Sequence, residues 1–155
     1  MNNTQVNATE KSTVSSTMAV DSKEFKVASR PVVSYSGTQQ NELLAALPRE
    51  VLESLFEHLE LVTLPFGKEL FEFGGAMEYV HFPTTAIVSL LYVMEDGATT
   101  EIAVVGHEGV VGVSLFAGER AMCSAVVQAA GYGYRMKAQH LRDAFNQGGA
   151  LPALL

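Results

Sequence analysis

Residues 105–131, VGHEGVVGVSLFAGERAMCSAVVQAAG, contain five glycines in a mostly apolar run with only three charged side chains. Glycine-rich turns of this kind often hold phosphate groups, because backbone N–H groups at the start of a helix can bind an anion. The stretch therefore raises the question of a nucleotide site. The answer depends on whether suitable polar side chains accompany the turn.

The segments on both sides of this stretch are typical of short β-strands. From residue 61 onward, runs rich in β-branched and aromatic residues alternate with turn signals at 65–67, 74–75, 96–97 and 131. The pair Asp96-Gly97 predicts a tight hairpin turn of the primed type. The spacing predicts about eight strands without long intervening helices, which favours a mainly β fold, a jelly roll or double-stranded β-helix with short flanking α-helices.

Short helices are predicted before and after the strands. Residues 41–60, NELLAALPREVLESLFEHLE, place apolar side chains at helical spacing, and Pro48 is expected to open the second of two helices there. Residues 136–147, MKAQHLRDAFNQ, predict another helix, which Gly148-Gly149 would end. The apolar run ALPALL at 150–155 predicts the start of a further helix.

The composition excludes several classes of function. With 155 residues, 48% of them hydrophobic, we expect a single domain with a sizeable core, at 41–155, and residues 1–40 are polar enough to predict a disordered tail. The net charge of −7 argues against nucleic-acid binding by this chain alone. The single cysteine, Cys123, favours a cytoplasmic location. No secretory signal and no run of ~20 apolar residues is present, so we expect no membrane partner.

Five segments dispersed over residues 41–155 carry a resemblance to a known family. They are NELLAALP (41–48), FGKELFEFG (66–74), YVHFPTTAIVSLL (79–91), DGATTEIAVVGHEGVVG (96–112) and VVQAAG (126–131). Together they resemble the cyclic-nucleotide-binding-like sensor domain of bacterial Crp/Fnr transcription regulators. The resemblance implies a β-roll that responds to an effector and passes the signal along a long helix to a helix-turn-helix DNA-binding domain.

The resemblance also implies where a nucleotide would bind. In nucleotide-binding members a glycine turn begins a phosphate cassette, in which a glutamate holds the ribose hydroxyl and an arginine pairs with the cyclic phosphate. Here Gly112 matches the glycine, but Val113 stands at the glutamate position and Cys123 at the arginine position. The residues of this degenerate cassette are Gly112, Val113, Ser114, Cys123, Ser124 and Ala125. We therefore expect no cofactor and no ordinary binding of cyclic AMP, since a buried phosphate without a cation is costly.

Nearby charges do not replace the missing groups in this interpretation. Glu108 and Glu119 would repel an anion if they pointed inward, and Arg120 lies three positions before the cassette arginine position. We expect Cys123 to be an inert strand residue rather than a thiol sensor or haem ligand. Arg135 offers one cation near the end of the roll, where it could meet a carboxylate.

The remaining motifs indicate neither an enzyme nor a metal site. The chain lacks a phosphate loop and a nucleophile elbow, and we expect no catalytic activity. The histidines, His58, His81, His107 and His140, are scattered without metal-ligand spacing, so no metal site is predicted. A free-standing ligand-binding or metal-binding β-roll, cupin-like, is the alternative interpretation.

Partners follow from the resemblance rather than from the residues. A complete regulator of this type is expected to be a homodimer and to bind DNA only through a C-terminal domain that these residues do not include. The apolar run at 151–155 has helical spacing and nothing after it, which favours a fragment of such a regulator over a free-standing sensor module. It could also cause association or aggregation of the chain.

Overall fold

The computed structural model describes residues 32–116, 118, 120–149 and 151–154. Three helices come first: α1 (Tyr35–Thr38), α2 (Glu42–Ala46) and α3 (Arg49–Phe56). The strands are β1 (Glu60–Leu64), β2 (Glu69–Phe71), β3 (Tyr79–Pro83), β4 (Ile87–Val93), β5 (Thr99–Val105), β6 (Ser124–Ala129) and β7 (Gly131–Lys137). A 3-10 helix (Val113–Phe116) lies between β5 and β6, and helices α4 (Ala138–Asn146) and α5 (Leu151–Leu154) follow β7.

The strands form two antiparallel sheets of a jelly roll. The first sheet has the order β1-β7-β3 and the second the order β2-β6-β4-β5, so most neighbouring strands are distant in the sequence. This confirms the predicted mainly β fold with short flanking helices. Within the described residues there are seven strands where the spacing predicted about eight, and Val111 forms an isolated bridge with His81.

The hairpin between β4 and β5 is present, but its turn differs from the predicted one. The N–H of Gly97 donates to the carbonyl of Met94, so Glu95 and Asp96 are the central residues and Gly97, with φ +83°, follows them. The N–H of Met94 in turn donates to the carbonyl of Ala98. A three-residue loop with glycine in the left-handed region replaces the two-residue primed turn, and the Asp96 side chain accepts from the N–H of Ala98.

The helices before the strands agree with the sequence pattern, with one change of boundary. Pro48 precedes α3 directly and separates it from α2, as predicted. Order begins before residue 41, however, because α1 is capped by the Ser34 side chain and buries Thr38. The predicted tail therefore does not include residues 32–40, and its remainder, 1–31, lies outside the described residues.

The core lies between the two sheets and extends under the helices. Its largest fully buried side chains include Phe82, Leu64, Met136, Leu44 and Leu141. Within the first sheet, β7 and β3 approach closely at Gly133, where an added Cβ would lie 2.9 Å from the carbonyl oxygen of Phe82. Helix α4 contacts β3, β7 and α3, so the C-terminal helix packs on the same side of the roll as the helices that precede it. Within the described residues, no helix is long and apolar enough to cross a membrane.

Candidate functional site: the turn at Gly112

The turn at Gly112 keeps a backbone that only glycine adopts readily. Gly112 has φ +114°, and a Cβ there would lie 3.0 Å from Cγ1 of Val80 on β3. Val111, just before it, exchanges two backbone hydrogen bonds with His81, of 3.0 and 2.8 Å. The glycine therefore serves close packing of the turn against β3, and the 3-10 helix starts directly after it.

The first side chains of the cassette offer little to an anion. Val113, at the position of the expected glutamate, is 42% exposed. The hydroxyl of the half-buried Ser114 contacts the sulfur of Met77 at 3.5 Å. These two residues present an aliphatic group and a hydroxyl directed at a thioether, and neither is charged.

The last residues of the cassette, 123–125, carry no charge and are either buried or hydrogen-bonded to the loop after β2. Cys123, at the position of the expected arginine, is buried, and this burial raises the pKa of its thiol. The Ser124 hydroxyl accepts a hydrogen bond of 2.9 Å from the N–H of Phe73, and Ala125 is fully buried in β6. Cys123 therefore presents a buried thiol where the resemblance of the sequence expects an arginine.

Arg120 is directed away from the cassette interior. Its backbone forms a bridge with Ala76, and its guanidinium donates to the carbonyl of Gly74 at 3.2 Å on the exposed surface. Ala121 exchanges further backbone bonds with Gly74 and Gly75, of 2.8 and 2.9 Å. The hydrogen bonds of Arg120 and Ala121 therefore hold this part of the chain against the loop after β2.

The acidic residues near the turn have local roles. The carboxylate of the exposed Glu108 accepts from the N–H of Gly106 at 2.9 Å, and this bond is the main cause that lowers the pKa of Glu108. His107 lies 3.3 Å from the Glu42 carboxylate. Glu119 lies outside the described residues.

Asn41 positions the loop that leads into the cassette, and the sequence analysis assigned it no such role. Its side-chain oxygen caps α2 by accepting from the N–H of Leu44, while its side-chain nitrogen donates to the carbonyls of Pro83 and Gly109, at 2.8 Å each. Asparagine before a helical run is a recognisable cap signal. The bonds to Pro83 and Gly109 join residues 42 and 68 positions apart, which no local pattern could have revealed.

Two histidines that are distant in the sequence stack on each other. The rings of His58, after α3, and His140, in α4, are parallel with centroids 3.8 Å apart. They line a cavity of about 550 Å³ together with Arg135, whose guanidinium pairs with Glu60 at 2.9 Å and lies 4.3 Å from the centre of the Tyr79 ring. The sequence analysis missed this pair because it considered only spacing along the chain.

His81 is buried in β3. Its Nδ1 atom is the buried side-chain polar atom without a hydrogen-bond partner in the described part of the chain. Burial, with smaller contributions from the charges of Arg135 and Lys68, lowers its pKa to about 4. Among the described residues no group of three or more His, Cys, Asp or Glu side chains is arranged to hold a metal ion.

Comparison with solved structures identifies the fold. The N-terminal domain of a transcriptional regulator from Streptomyces coelicolor A3(2) is 25% identical, with a TM-score of 0.58, over 76% of this chain and 85% of that one. A cyclic nucleotide-binding domain from Methylobacillus flagellatus is 16% identical, with a TM-score of 0.62, over 77% and 71%. The sensor domain of the regulator DNR from Pseudomonas aeruginosa is 14% identical, with a TM-score of 0.62, over 74% and 78%.

The similarity is structural rather than one of close sequence relationship. No protein-family model matches the chain, and no curated protein matches it. The solved structures that share its fold include regulator sensor domains, which the resemblance of the sequence to the Crp/Fnr type had implied. The chain therefore has the jelly-roll fold of cyclic-nucleotide-binding domains.

Proposed function

We propose that the chain is the effector-sensing domain of a Crp/Fnr-type transcription regulator, and that its pocket no longer binds cyclic nucleotides in the ordinary way. The similar domains from Streptomyces coelicolor and Pseudomonas aeruginosa, which belong to transcriptional regulators, support the first part. In this proposal the domain is cytoplasmic, acts as a homodimer in the complete regulator, reaches DNA only through a separate domain and catalyses no reaction.

The observation that carries the second part is the neutral, buried Cys123 at the position where the resemblance expects an arginine. An arginine binds a phosphate with charge-assisted hydrogen bonds, each contributing roughly 1.5–3 kcal/mol. A protonated thiol supplies no such charge, and burial raises the pKa of Cys123, which favours that protonated form. The nearest arginine in the sequence, Arg120, donates instead to the carbonyl of Gly74.

The sequence around the turn also opposes an anionic ligand. From residue 69 to residue 119 the chain has eight acidic residues and neither lysine nor arginine. The residues that surround Gly112 in the sequence would therefore offer a phosphate carboxylates but no lysine or arginine, which is electrostatically unfavourable. An uncharged or cationic effector fits this region better.

Calorimetric titration of the full chain with cyclic AMP and cyclic GMP tests the proposal. We expect no binding in the micromolar range, and micromolar affinity of the unsubstituted chain would overturn the degenerate pocket. The double substitution Val113→Glu and Cys123→Arg restores both polar groups, and we expect it to tighten nucleotide binding at least about tenfold. Val113→Gln with Cys123→Met is the matched control, because it changes size without charge and should leave binding undetectable.

A further inference from the structure

A cavity between α1 and the first sheet is separate from the turn at Gly112. It has a volume of about 320 Å³ and is bordered by α1, β1, β7 and the connection from β3 to β4. Six of its lining residues carry polar but uncharged side chains: Ser34, Gln40, Thr84, Thr85, Tyr132 and Tyr134. Within the described residues, no charged side chain lines this cavity and no cassette residue does. It is therefore a second site, with neutral hydrogen-bonding groups.

The Tyr134 hydroxyl is a buried polar group at the wall of this cavity. Tyr134 is 2% exposed, and its hydroxyl lies beside α1, where a Cβ added at Gly37 would overlap it and lie 2.9 Å from Oγ of Ser34. The side-chain hydrogen bonds around the cavity are those of the Ser34, Thr84 and Thr85 hydroxyls, and the Tyr134 hydroxyl takes part in none of them. Burial raises the pKa of Tyr134, which keeps the hydroxyl protonated as a donor.

An unpartnered buried hydroxyl indicates that the cavity holds something. Buried polar groups in proteins are nearly always hydrogen-bonded, to the protein, to water or to a ligand. One water molecule takes up about 30 Å³ of liquid, roughly a tenth of this cavity, so a single water would leave most of it empty. A molecule with several hydrogen-bonding groups fills the space better.

The polar walls of the cavity are held in place by bonds to the backbone of β7. The Thr84 hydroxyl donates to the carbonyl of Tyr132 at 3.0 Å, and the N–H of Tyr132 donates to the Thr85 hydroxyl at 2.9 Å. The Thr85 hydroxyl accepts in this bond, so its own hydrogen can be donated to a ligand. Groups fixed in this way lose little conformational freedom on binding, which favours affinity.

The same bonds leave the ring of Tyr132 at the mouth of the cavity. This ring is 53% exposed, and the aliphatic side chains of Val32 and Leu61 lie beside the same space. An aromatic face packs well on the C–H face of a sugar ring, while hydroxyl and amide groups bond sugar hydroxyls. A charged ligand would lose hydration here without meeting an opposite charge.

We propose that this cavity binds a neutral, polyhydroxylated molecule of about the size of a monosaccharide. Its volume of about 320 Å³ lies at the lower end of the usual range for small-molecule sites, about 300–1,000 Å³. Tyr134 and Thr85 donate to hydroxyls of the ligand, the Gln40 amide bonds it at the rim, and Tyr132 packs against its C–H face. This site goes beyond the proposed function and does not depend on the cassette.

An NMR titration of the full chain with D-glucose, D-galactose, D-mannose and D-ribose tests the proposal. We expect at least one of these sugars to shift the signals of Thr85, Tyr132 and Tyr134 with a dissociation constant in the low millimolar range. No shift from any of the four up to about 50 mM would overturn the proposal. The uronic acid of the sugar that binds should bind at least about tenfold more weakly, because it adds a carboxylate. Equal binding of the two would contradict a neutral ligand.

Two substitutions assign the binding to this cavity. Tyr134→Phe removes only the hydroxyl, and we expect about tenfold weaker sugar binding with an unchanged midpoint of urea denaturation, since the hydroxyl has no partner in the described chain. Tyr92→Phe, which removes the same group from an exposed ring of β4, is the matched control and should leave binding unchanged.

Gly37→Ala places a methyl group between the hydroxyls of Ser34 and Tyr134, and it should also weaken binding about tenfold. Unchanged binding in both the Gly37→Ala and the Tyr134→Phe variants would assign the sugar to another place and overturn the proposal. Neither titration involves Gly112 or Cys123, so a negative result would leave the proposed function untouched.

Discussion

Strands β3 and β5 are both rich in apolar side chains but differ completely in burial. β3, with the sequence YVHFP, is buried at its last four positions, whereas β5, with the sequence TTEIAVV, is exposed at its first six. β3 pairs with β7, contacts α4 and receives a bond from Asn41 at Pro83, while β5 has only β4 beside it in the described structure. The elements that cover a strand, more than its composition, therefore decide its burial in this roll.

The two strands should differ most in the free energy of unfolding that is lost when a large apolar side chain is replaced by alanine. Phe82 of β3 is 1% exposed, and Phe82→Ala should lower the free energy of unfolding by about 3–5 kcal/mol because it leaves a cavity. Ile102→Ala on β5 should change it by less than about 0.5 kcal/mol. Urea denaturation of the full-length variants measures both values. Similar losses at the two positions would show that β5 is covered in solution.

The bonds of Asn41 link the end of β3 to the loop after β5, and their loss should be the next largest effect. Asn41→Ala removes the cap of α2 and leaves the buried carbonyl of Pro83 and the partly buried carbonyl of Gly109 without this donor. We expect a loss of about 3 kcal/mol in the free energy of unfolding. Asn146→Ala, at the exposed end of α4, is the control and should cost less than about 0.5 kcal/mol. An Asn41→Ala variant as stable as this control would contradict the assigned role.

The burial of His81 predicts a pH dependence that a histidine on β5 would not have. Its pKa falls from an ordinary 6.5 to about 4 on folding, so the unfolded chain binds more protons between these values. Its contribution to stability is complete above pH 6.5 and is lost as the pH falls toward 4, by about 2 kcal/mol at pH 5.

Denaturation at several pH values checks this expectation. His81→Leu and His81→Gln both remove the titrating ring. In both variants the free energy of unfolding should therefore depend less on pH between 6.5 and 4, although the absolute stabilities of the two variants differ. A slope that persists unchanged in both variants would show that other groups cause it.

Local sequence patterns predicted the helix boundaries and the hairpin well, because the interactions that determine these features lie within a few residues of each other. Pro48 before α3, the glycines after α4 and the hairpin at Asp96-Gly97 each act within a few residues. The same pattern misplaced the hairpin turn by one residue, since Asp-Gly is compatible with both the two-residue and the three-residue loop.

Features that depend on distant contacts could not be derived in this way. The second and third bonds of Asn41, the exposure of β5 and the burial of His81 all depend on which element packs beside which. For the cassette, the resemblance located Gly112 and Cys123, and the structure adds their surroundings: a close contact with Val80 and a buried thiol. The position of Arg120 on the carbonyl of Gly74 became visible only in three dimensions.

The stacked rings of His58 and His140 join the connection between α3 and β1 to helix α4. One ring follows α3 and the other belongs to α4, and at 3.8 Å they are in van der Waals contact. A tilt of α4 away from the roll must therefore either separate the rings or carry the end of α3 with it. The position of α4 is in this way linked to that of the residues between α3 and β1.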